Sequence, residues 1–168
     1  MAILTRDAIF DEIKKGKIKI EPFDRSQIGP ASIDLTLDNK FRFYKQRCSR
    51  VALNDIDIRK ITELVKTDCF ELLPGQAILG ITKEKITLPE NMCGWLEGRS
   101  RYARVGLQIH TTASFVQPGI SNKQVLEMSN ISPFVLEIRP GTKICQLILT
   151  RTEGKAEYKG KFSKQDNL

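Results

Sequence analysis

The chain has 168 residues, of which 40% are hydrophobic and 28% charged, a balance typical of a globular domain and unlike that of a disordered chain. Its 27 Lys and Arg residues outnumber its 20 Asp and Glu residues, for a formal net charge of +7. This excess favours a polyanionic partner, which composition leaves open: a nucleic acid, an anionic membrane or a phosphorylated small molecule.

Several classes of protein are excluded at once. No apolar run approaches the roughly 18 residues that a membrane-spanning helix needs, and the acidic N-terminal segment lacks the apolar core of a secretory signal. His110 is the single histidine, so a His-rich metal centre is excluded. The cysteines form no C-x-x-C pair, which argues against zinc: Cys48, Cys69, Cys93 and Cys145. We expect a cytoplasmic protein without zinc.

The pattern of the chain predicts two helices and many strands. Thr5 and Gly16 mark the ends of a first helix, and residues 58–65 carry apolar side chains at helical spacing. Short apolar or alternating segments predict strands at 41–44, 69–73, 77–82, 85–88, 94–97, 106–110, 123–128, 134–138 and 143–149.

Turns and strand spacing together predict the fold class. Pro-Gly pairs at 74–75, 118–119 and 140–141 suit type II turns. Many short strands so close together favour an antiparallel barrel or sandwich over a parallel βαβ sheet. We expect one domain over residues 1–152 and a polar, mobile C-terminal tail over residues 153–168.

Basic residues are concentrated in particular segments. Residues 39–50 carry five cations and no acid, and we assign them no purpose. Residues 98–104 combine a glycine, a serine and three arginines, whose guanidinium groups are forked donors for phosphate oxygens. Three cations so close repel one another, so this segment is either an anion site or a solvated face.

Two carboxylates are candidates for proton chemistry. Glu127 shares a strand face with Val125, while Leu126 and Met128 point to the opposite face. It is either an outward-facing strand residue or, in a partly dry pocket, a general base with a raised pKa. Asp34 is the second candidate. Alternatively, it is an acidic residue in a turn or at the start of a strand, without a catalytic role.

A series of motifs gives the chain a family resemblance. In order they are P-A-S-I-D-L at 30–35, G-R-S at 98–100, A-R-V-G-L at 103–107, H-T-T-A at 110–113, P-G at 118–119, V-L-E at 125–127, and P-G at 140–141 before I-C-Q-L at 144–147. Their order and spacing resemble the dCTP deaminase branch of the trimeric dUTPase superfamily. The resemblance implies a mainly β fold, a β-clip or distorted jelly-roll barrel with a short N-terminal helix, in a homotrimer with sites between subunits.

The same resemblance implies a metal-free hydrolytic deamination of dCTP at C4 of the cytosine. Glu127 matches the general base that activates water, and Ser100 and Arg104 match residues that orient this water and stabilise the developing charge. Arg99 matches a phosphate-contacting arginine, and the backbone around Val125 and Leu126 lines the base pocket.

The resemblance extends to the tail, which is expected to close over the nucleotide. Tyr158, Lys161 and Gln165 match residues that cover the triphosphate, which binds with Mg²⁺. His110 lies in a loop that responds to inhibitor in this family, so dTTP is an expected inhibitor. No nucleic-acid or membrane partner is expected.

Three residues depart from the family pattern. Gln117 stands where an aspartate is usual; it can hydrogen-bond a hydroxyl but cannot take a proton. We therefore expect diphosphatase activity to be weak or absent, so that dUTP and ammonia, rather than dUMP, are the products. Arg101 replaces a serine and adds charge near the phosphates, and Phe162 replaces a frequent tyrosine.

The alternatives remain open at this stage. One is a dUTP diphosphatase or a bifunctional dCTP deaminase that forms dUMP. A second is a non-catalytic, nucleotide-binding relative, favoured only by Gln117. A third is a nucleic-acid-binding module, suggested by the aromatic residues within the basic segment 39–50.

Overall fold

The protein, seen in a computed structural model, is described for residues 2–45, 50–54, 56–160, 162–163 and 165–168. Helix α1 spans Arg6–Lys14, α2 spans Ile58–Ile61 and α3 spans Ser100–Ala103, with one 3-10 turn at Arg25–Gln27. Within these residues no helix is long and apolar enough to cross a membrane.

Most of the remaining regular structure is β. The strands are β1 Lys19–Glu21, β2 Ile33–Thr36, β3 Lys40–Tyr44, β4 Thr62–Lys66, β5 Phe70–Leu72, β6 Ala77–Thr87, β7 Met92–Gly98, β8 Leu107–Ile109, β9 Phe115–Val116, β10 Ser121–Asn130, β11 Leu136–Ile138 and β12 Lys143–Arg151.

All strand pairings between these elements are antiparallel, as the strand spacing predicts. The largest sheet has the order β4-β3-β6-β10-β8, with β1 also paired to β6. A second sheet has the order β2-β12-β7-β9, and β11 pairs with β5. The mainly β prediction is confirmed.

One hydrophobic cluster draws side chains from both large sheets. Phe41 on β3 and Leu126 on β10 are fully buried in it, together with Leu35 on β2 and Leu147 on β12. Ile9 adds the buried face of α1. The two sheets therefore enclose a single core, which holds β10 rigidly beneath the site described below.

The local signals at turns and at the first helix agree with the structure. Helix α1 begins after Thr5, and Gly16 follows it with φ of +70°. Each glycine of the three Pro-Gly pairs has positive φ, as the second central position of a type II turn requires: Gly75, Gly119 and Gly141.

The second predicted helix is wrong beyond its first turn. Helix α2 ends at Ile61, and Thr62–Lys66 form strand β4, which pairs with β3. Leu64 is 51% exposed, so the helical spacing of the apolar residues did not mark a buried helix face. Backbone pairing with β3 outweighs the weak helical preference of so short a segment.

Several strands differ from their predicted bounds. The segments 77–82 and 85–88 are parts of the single strand β6, and β1, β2, β4 and β9 lie outside the predicted segments. All four contain five residues or fewer, and β9 contains two. So short a segment carries little periodicity, and its pairing partner decides its conformation.

The tail packs against the strands of the largest sheet. The backbone N–H of Tyr158 donates to the carbonyl of Pro118 (3.0 Å), and the N–H of Lys123 donates to the carbonyl of Gln165 (2.8 Å). Lys85 forms an ion pair with Asp166 at 3.1 Å. These bonds define one docked position of the tail; its mobility stays a prediction.

Candidate active site

A cavity of about 570 Å³ opens where the tail crosses the largest sheet and the turn after β9. Its lining includes five residues predicted from the sequence to belong to a nucleotide site: Gln117, Val125, Glu127, Tyr158 and Gln165. They come from β10, the Pro-Gly turn and the tail. A nucleoside-sized ligand fits a cavity of this volume.

The alternation of β10 aims Glu127 into this cavity. Leu126 and Met128 are at most 1% exposed and face the core, so Val125 and Glu127 face the opposite side. Leu79 lies directly across from Glu127 on β6 and also lines the cavity. Leu126 therefore contributes no side chain to the cavity wall.

The Glu127 carboxylate is held loosely. Its Oε2 accepts from the backbone N–H of Thr112 at 3.3 Å and from the Thr112 hydroxyl at 3.5 Å. Both distances are long for hydrogen bonds to a charged group. Across the cavity, the pKa of the Tyr44 phenol is raised, chiefly by partial burial and secondly by the negative charge of Glu127. A weakly bonded carboxylate keeps lone pairs for a water molecule.

His110 occupies an unusual position beside Glu127. Its backbone N–H donates to the Glu127 carbonyl at 2.9 Å, and its φ of +55° lies in the left-handed region. Neither ring nitrogen has a hydrogen-bond partner among the described residues. Burial lowers the pKa of His110, and the Glu127 carboxylate offsets part of this shift. The imidazole is therefore neutral at pH 7.

The turn after β9 brings Gln117 and the tail together. Gln117 is exposed on the cavity wall and precedes Pro118 and Gly119. A Cβ on Gly119 would lie 3.0 Å from the Cα of Glu157 in the tail, and Gly119 has φ of +72°. Only glycine suits both constraints, so this turn allows the close approach of the tail.

The other predicted residues lie outside the cavity. Ser100, Arg101 and Arg104 are exposed on and beside α3, where the Arg101 guanidinium lies over the Tyr102 ring at 5.5 Å. The chain thus does not bring them together with Glu127. Lys161 lies outside the described residues.

Arg99 also lies outside the cavity, beside an acid from a distant strand. The arginine segment carries no acid in sequence, yet Arg99 Nη2 lies 3.3 Å from Asp34 Oδ2. Pairing of β2 and β7 with β12 brings this acid beside the arginines. Asp34, considered above as a general base, is therefore the ion-pair partner of a cation.

Most of the cavity lining was not predicted from the sequence, including Tyr44, Asn122 and Gln124. Tyr44 lies in the basic segment 39–50 and lines the cavity, and Thr112 bonds Glu127. In the sequence, Tyr44 was marked only as an aromatic residue two positions after Arg42, a spacing that places both side chains on one face of a strand. Among the described residues no three His, Cys, Asp or Glu side chains are grouped to hold a metal ion.

The comparison with known families identifies the chain. A model of the family described as "dCTP deaminase-like" matches residues 3–152. The chain belongs to this family. Curated relatives from Parafrankia sp. (strain EAN1pec) and Mycolicibacterium vanbaalenii are each 40% identical over 161 residues, 94% of this chain, and the matches cover 80% and 84% of those relatives. Both are named "dCTP deaminase, dUMP-forming".

A solved structure supports the fold of this dCTP deaminase-like chain. The 2′-deoxycytidine 5′-triphosphate deaminase from Agrobacterium tumefaciens matches with a TM-score of 0.70 at 23% identity. The match covers 90% of this chain and 48% of that chain, so the present chain spans about half of its length. This likeness confirms the β-clip fold.

The single histidine permits a direct test of the cavity electrostatics. We expect the pKa of His110, followed by NMR titration of its ring protons in untagged protein, to lie below 6.5 because of burial. Glu127→Gln removes the charge that offsets this shift and should lower the pKa further. A value above 6.5, or a rise in the variant, would contradict this description.

Proposed function

We propose that the chain is a hydrolase that deaminates dCTP and forms ammonia and dUMP. The observation that carries the proposal is the placement of Glu127 on the cavity wall, with its carboxylate loosely bonded and aimed inward. Family membership and the names of the relatives support the substrate.

Glu127 is the proposed general base. Attack on the cytosine ring requires a water molecule to lose a proton as its oxygen bonds to C4. The Glu127 carboxylate accepts this proton and returns it to the amino group, the bond between C4 and the amino nitrogen breaks, and ammonia leaves. The second proton of the water moves from the C4 oxygen to ring N3, which gives uracil. Gln124 also lines the cavity; its Nε2 donates to Asn122 Oδ1 at 2.6 Å, and its amide oxygen is an acceptor for the nucleotide.

The remaining catalytic groups are proposed to come from a second subunit. Ser100 would orient the water and Arg104 would stabilise negative charge on the ring. Both lie on or beside α3, outside the cavity of their own chain. A homotrimer in which α3 of one subunit meets the cavity of the next would complete each site, and symmetry would repeat it three times.

The triphosphate is proposed to lie between α3 and the tail, entering as its Mg²⁺ complex. Arg99 and Arg101 supply forked donors for phosphate oxygens, and Lys161 adds a cation. Tyr158 and Gln165 line the cavity from the tail, which supports closure of the tail over the nucleotide. dTTP, as another deoxynucleoside triphosphate, is the proposed inhibitor of the same site.

The product corrects the expectation drawn from Gln117. That residue led us to expect dUTP, whereas the relatives are named as dUMP-forming enzymes. We therefore propose that a second water releases pyrophosphate and leaves dUMP. The Gln117 amide can hold this water by a hydrogen bond but cannot take its proton, so this step is slowed and not abolished.

The first test is turnover of dCTP. We expect ammonia and pyrophosphate from the wild type, and a loss of at least about 100-fold in deamination for Glu127→Gln, because an amide cannot act as a base. Glu71→Gln, an exposed carboxylate outside the cavity, is the matched control. Near-normal turnover by Glu127→Gln would overturn the mechanism; tight dCTP binding by an inactive wild type would indicate a non-catalytic relative.

The second test concerns Gln117 and the product. Gln117→Asp should raise pyrophosphate release from dCTP about tenfold, since a carboxylate can take the proton of the second water. Gln108→Asp, exposed on β8 and outside the cavity, should change nothing. Chromatography of dUTP and dUMP, with a coupled pyrophosphate assay, gives the readout. Accumulation of dUTP without pyrophosphate in the wild type would exclude dUMP as the product.

The third test concerns the subunit origin of the site. Glu127→Gln and Arg104→Ala should each be inactive alone. After unfolding and refolding of an equal mixture, about a quarter of the wild-type activity should return, because each site then needs two independent intact halves. A matched mixture of Ser100→Ala with Arg104→Ala, both on the same half, should show no such recovery. Equal recovery in both mixtures would argue against a shared site.

A further inference from the structure

We propose that Asp34 is a positioning residue that holds the Arg99 guanidinium in place for the phosphates of the nucleotide. The inference rests on the phosphate-binding role of Arg99 proposed above. Asp34 Oδ2 lies 3.3 Å from Arg99 Nη2, and the carbonyl of Lys143 accepts from Arg99 Nη1 at 2.9 Å. Both terminal nitrogens of the guanidinium are thus bound before any ligand arrives.

The sheet geometry makes this contact between distant parts of the sequence. Strand β12 lies between β2 and β7, and Gln146 pairs with Asp34 on one side and with Glu97 on the other. Strands two places apart are separated by about 10 Å, a gap that Arg and Asp side chains together can span. Arg99 follows the end of β7 and reaches back across β12 to Asp34.

The backbone at Asp34 is fixed in turn by a buried network. Gln27 Nε2 donates to the Asp34 carbonyl at 3.2 Å and to Glu84 Oε1 at 2.6 Å. Glu84 is 2% exposed and its second oxygen accepts from the backbone N–H of Thr36 at 2.9 Å. The Asp34 carboxylate therefore projects from a rigid strand and can impose its position on Arg99.

The bound arginine keeps donors for a ligand. A guanidinium carries five N–H groups. Nη1 donates one to the Lys143 carbonyl and Nη2 lies in an ion pair with Asp34, so further N–H groups remain for a ligand. The Arg99 side chain is 27% exposed and that of Asp34 is 20% exposed, which leaves the guanidinium within reach of an anion. Partly exposed ion pairs contribute little to stability, whereas fixing a flexible side chain in advance reduces the entropic cost of binding.

A double-mutant cycle tests this coupling. We would measure Kd, KM and kcat for dCTP in Asp34→Ala, Asp34→Asn, Arg99→Ala and the double variant Asp34→Ala with Arg99→Ala. Asp34→Ala should raise Kd and KM about tenfold with kcat nearly unchanged. The substitution weakens only the contact of Arg99 with the phosphates and leaves the groups that act on the base in place. In the Arg99→Ala background the same change should have no further effect. Asp34→Asn, which keeps an acceptor oxygen, should raise Kd less than Asp34→Ala.

Two controls separate positioning from a structural role. Binding of deoxycytidine, which has no phosphates, should be unaffected by Asp34→Ala. Glu137→Ala removes a comparable pair, with Arg139 at 2.8 Å, and should leave dCTP binding unchanged. A tenfold effect of Asp34→Ala that persists without Arg99, or that extends to deoxycytidine, would overturn the inference.

The cycle also distinguishes this inference from the proposed function. If Arg99→Ala raises Kd for dCTP and Asp34→Ala does not, the positioning role fails while the phosphate role of Arg99 stands. If Arg99→Ala leaves Kd unchanged, the phosphate role itself fails, and the inference with it. Kd is measured in variants that also carry Glu127→Gln, so dCTP is not consumed; an absence of deamination by the wild type would then overturn the enzyme proposal and leave the binding cycle informative.

Discussion

The antiparallel pairing of β10 with β6 is the constraint on which the candidate site depends. Leu126 and Met128 bury one face of β10 in the core, so Glu127 must occupy the other. A slip of one residue in this register would bury the carboxylate and expose both apolar side chains, at a large cost in free energy. Burial of Leu126 and Met128 in the core therefore determines the direction of the Glu127 side chain, although Glu127 itself is not part of the core.

The cavity over this strand is completed by elements distant in sequence. Gly119 turns the chain where the tail comes within van der Waals distance of it, and Tyr158 and Gln165 form part of the wall. Tyr44 comes from β3, two strands away from β10 in the same sheet, where partial burial and then Glu127 raise the pKa of its phenol. Burial of the imidazole lowers the pKa of His110, and the Glu127 carboxylate offsets part of this shift.

The positive charge of the chain is organised into separate surfaces. The side chains of Lys40 and Lys85 bond Asn167 and Asp166 of the tail, whereas Arg101 and Arg104 are exposed around α3. Arg99 differs from these two because Asp34 holds it in a fixed orientation. A triphosphate carries charge along its length, so a site assembled from a base pocket and a separate arginine surface suits its shape. The residues of the proposed site are divided between these two surfaces of one chain.

The sequence by itself determined the β class, the first helix, the Pro-Gly turns and the face on which Glu127 lies. These depend on local periodicity and on the conformational preferences of glycine and proline, which can be read from neighbouring residues. Only the tertiary structure decided that residues 62–66 form a strand and that Asp34 reaches Arg99. It also separated α3 from the cavity. Pairing between strands far apart in the chain controls these features, and no local pattern encodes which strand will lie beside which.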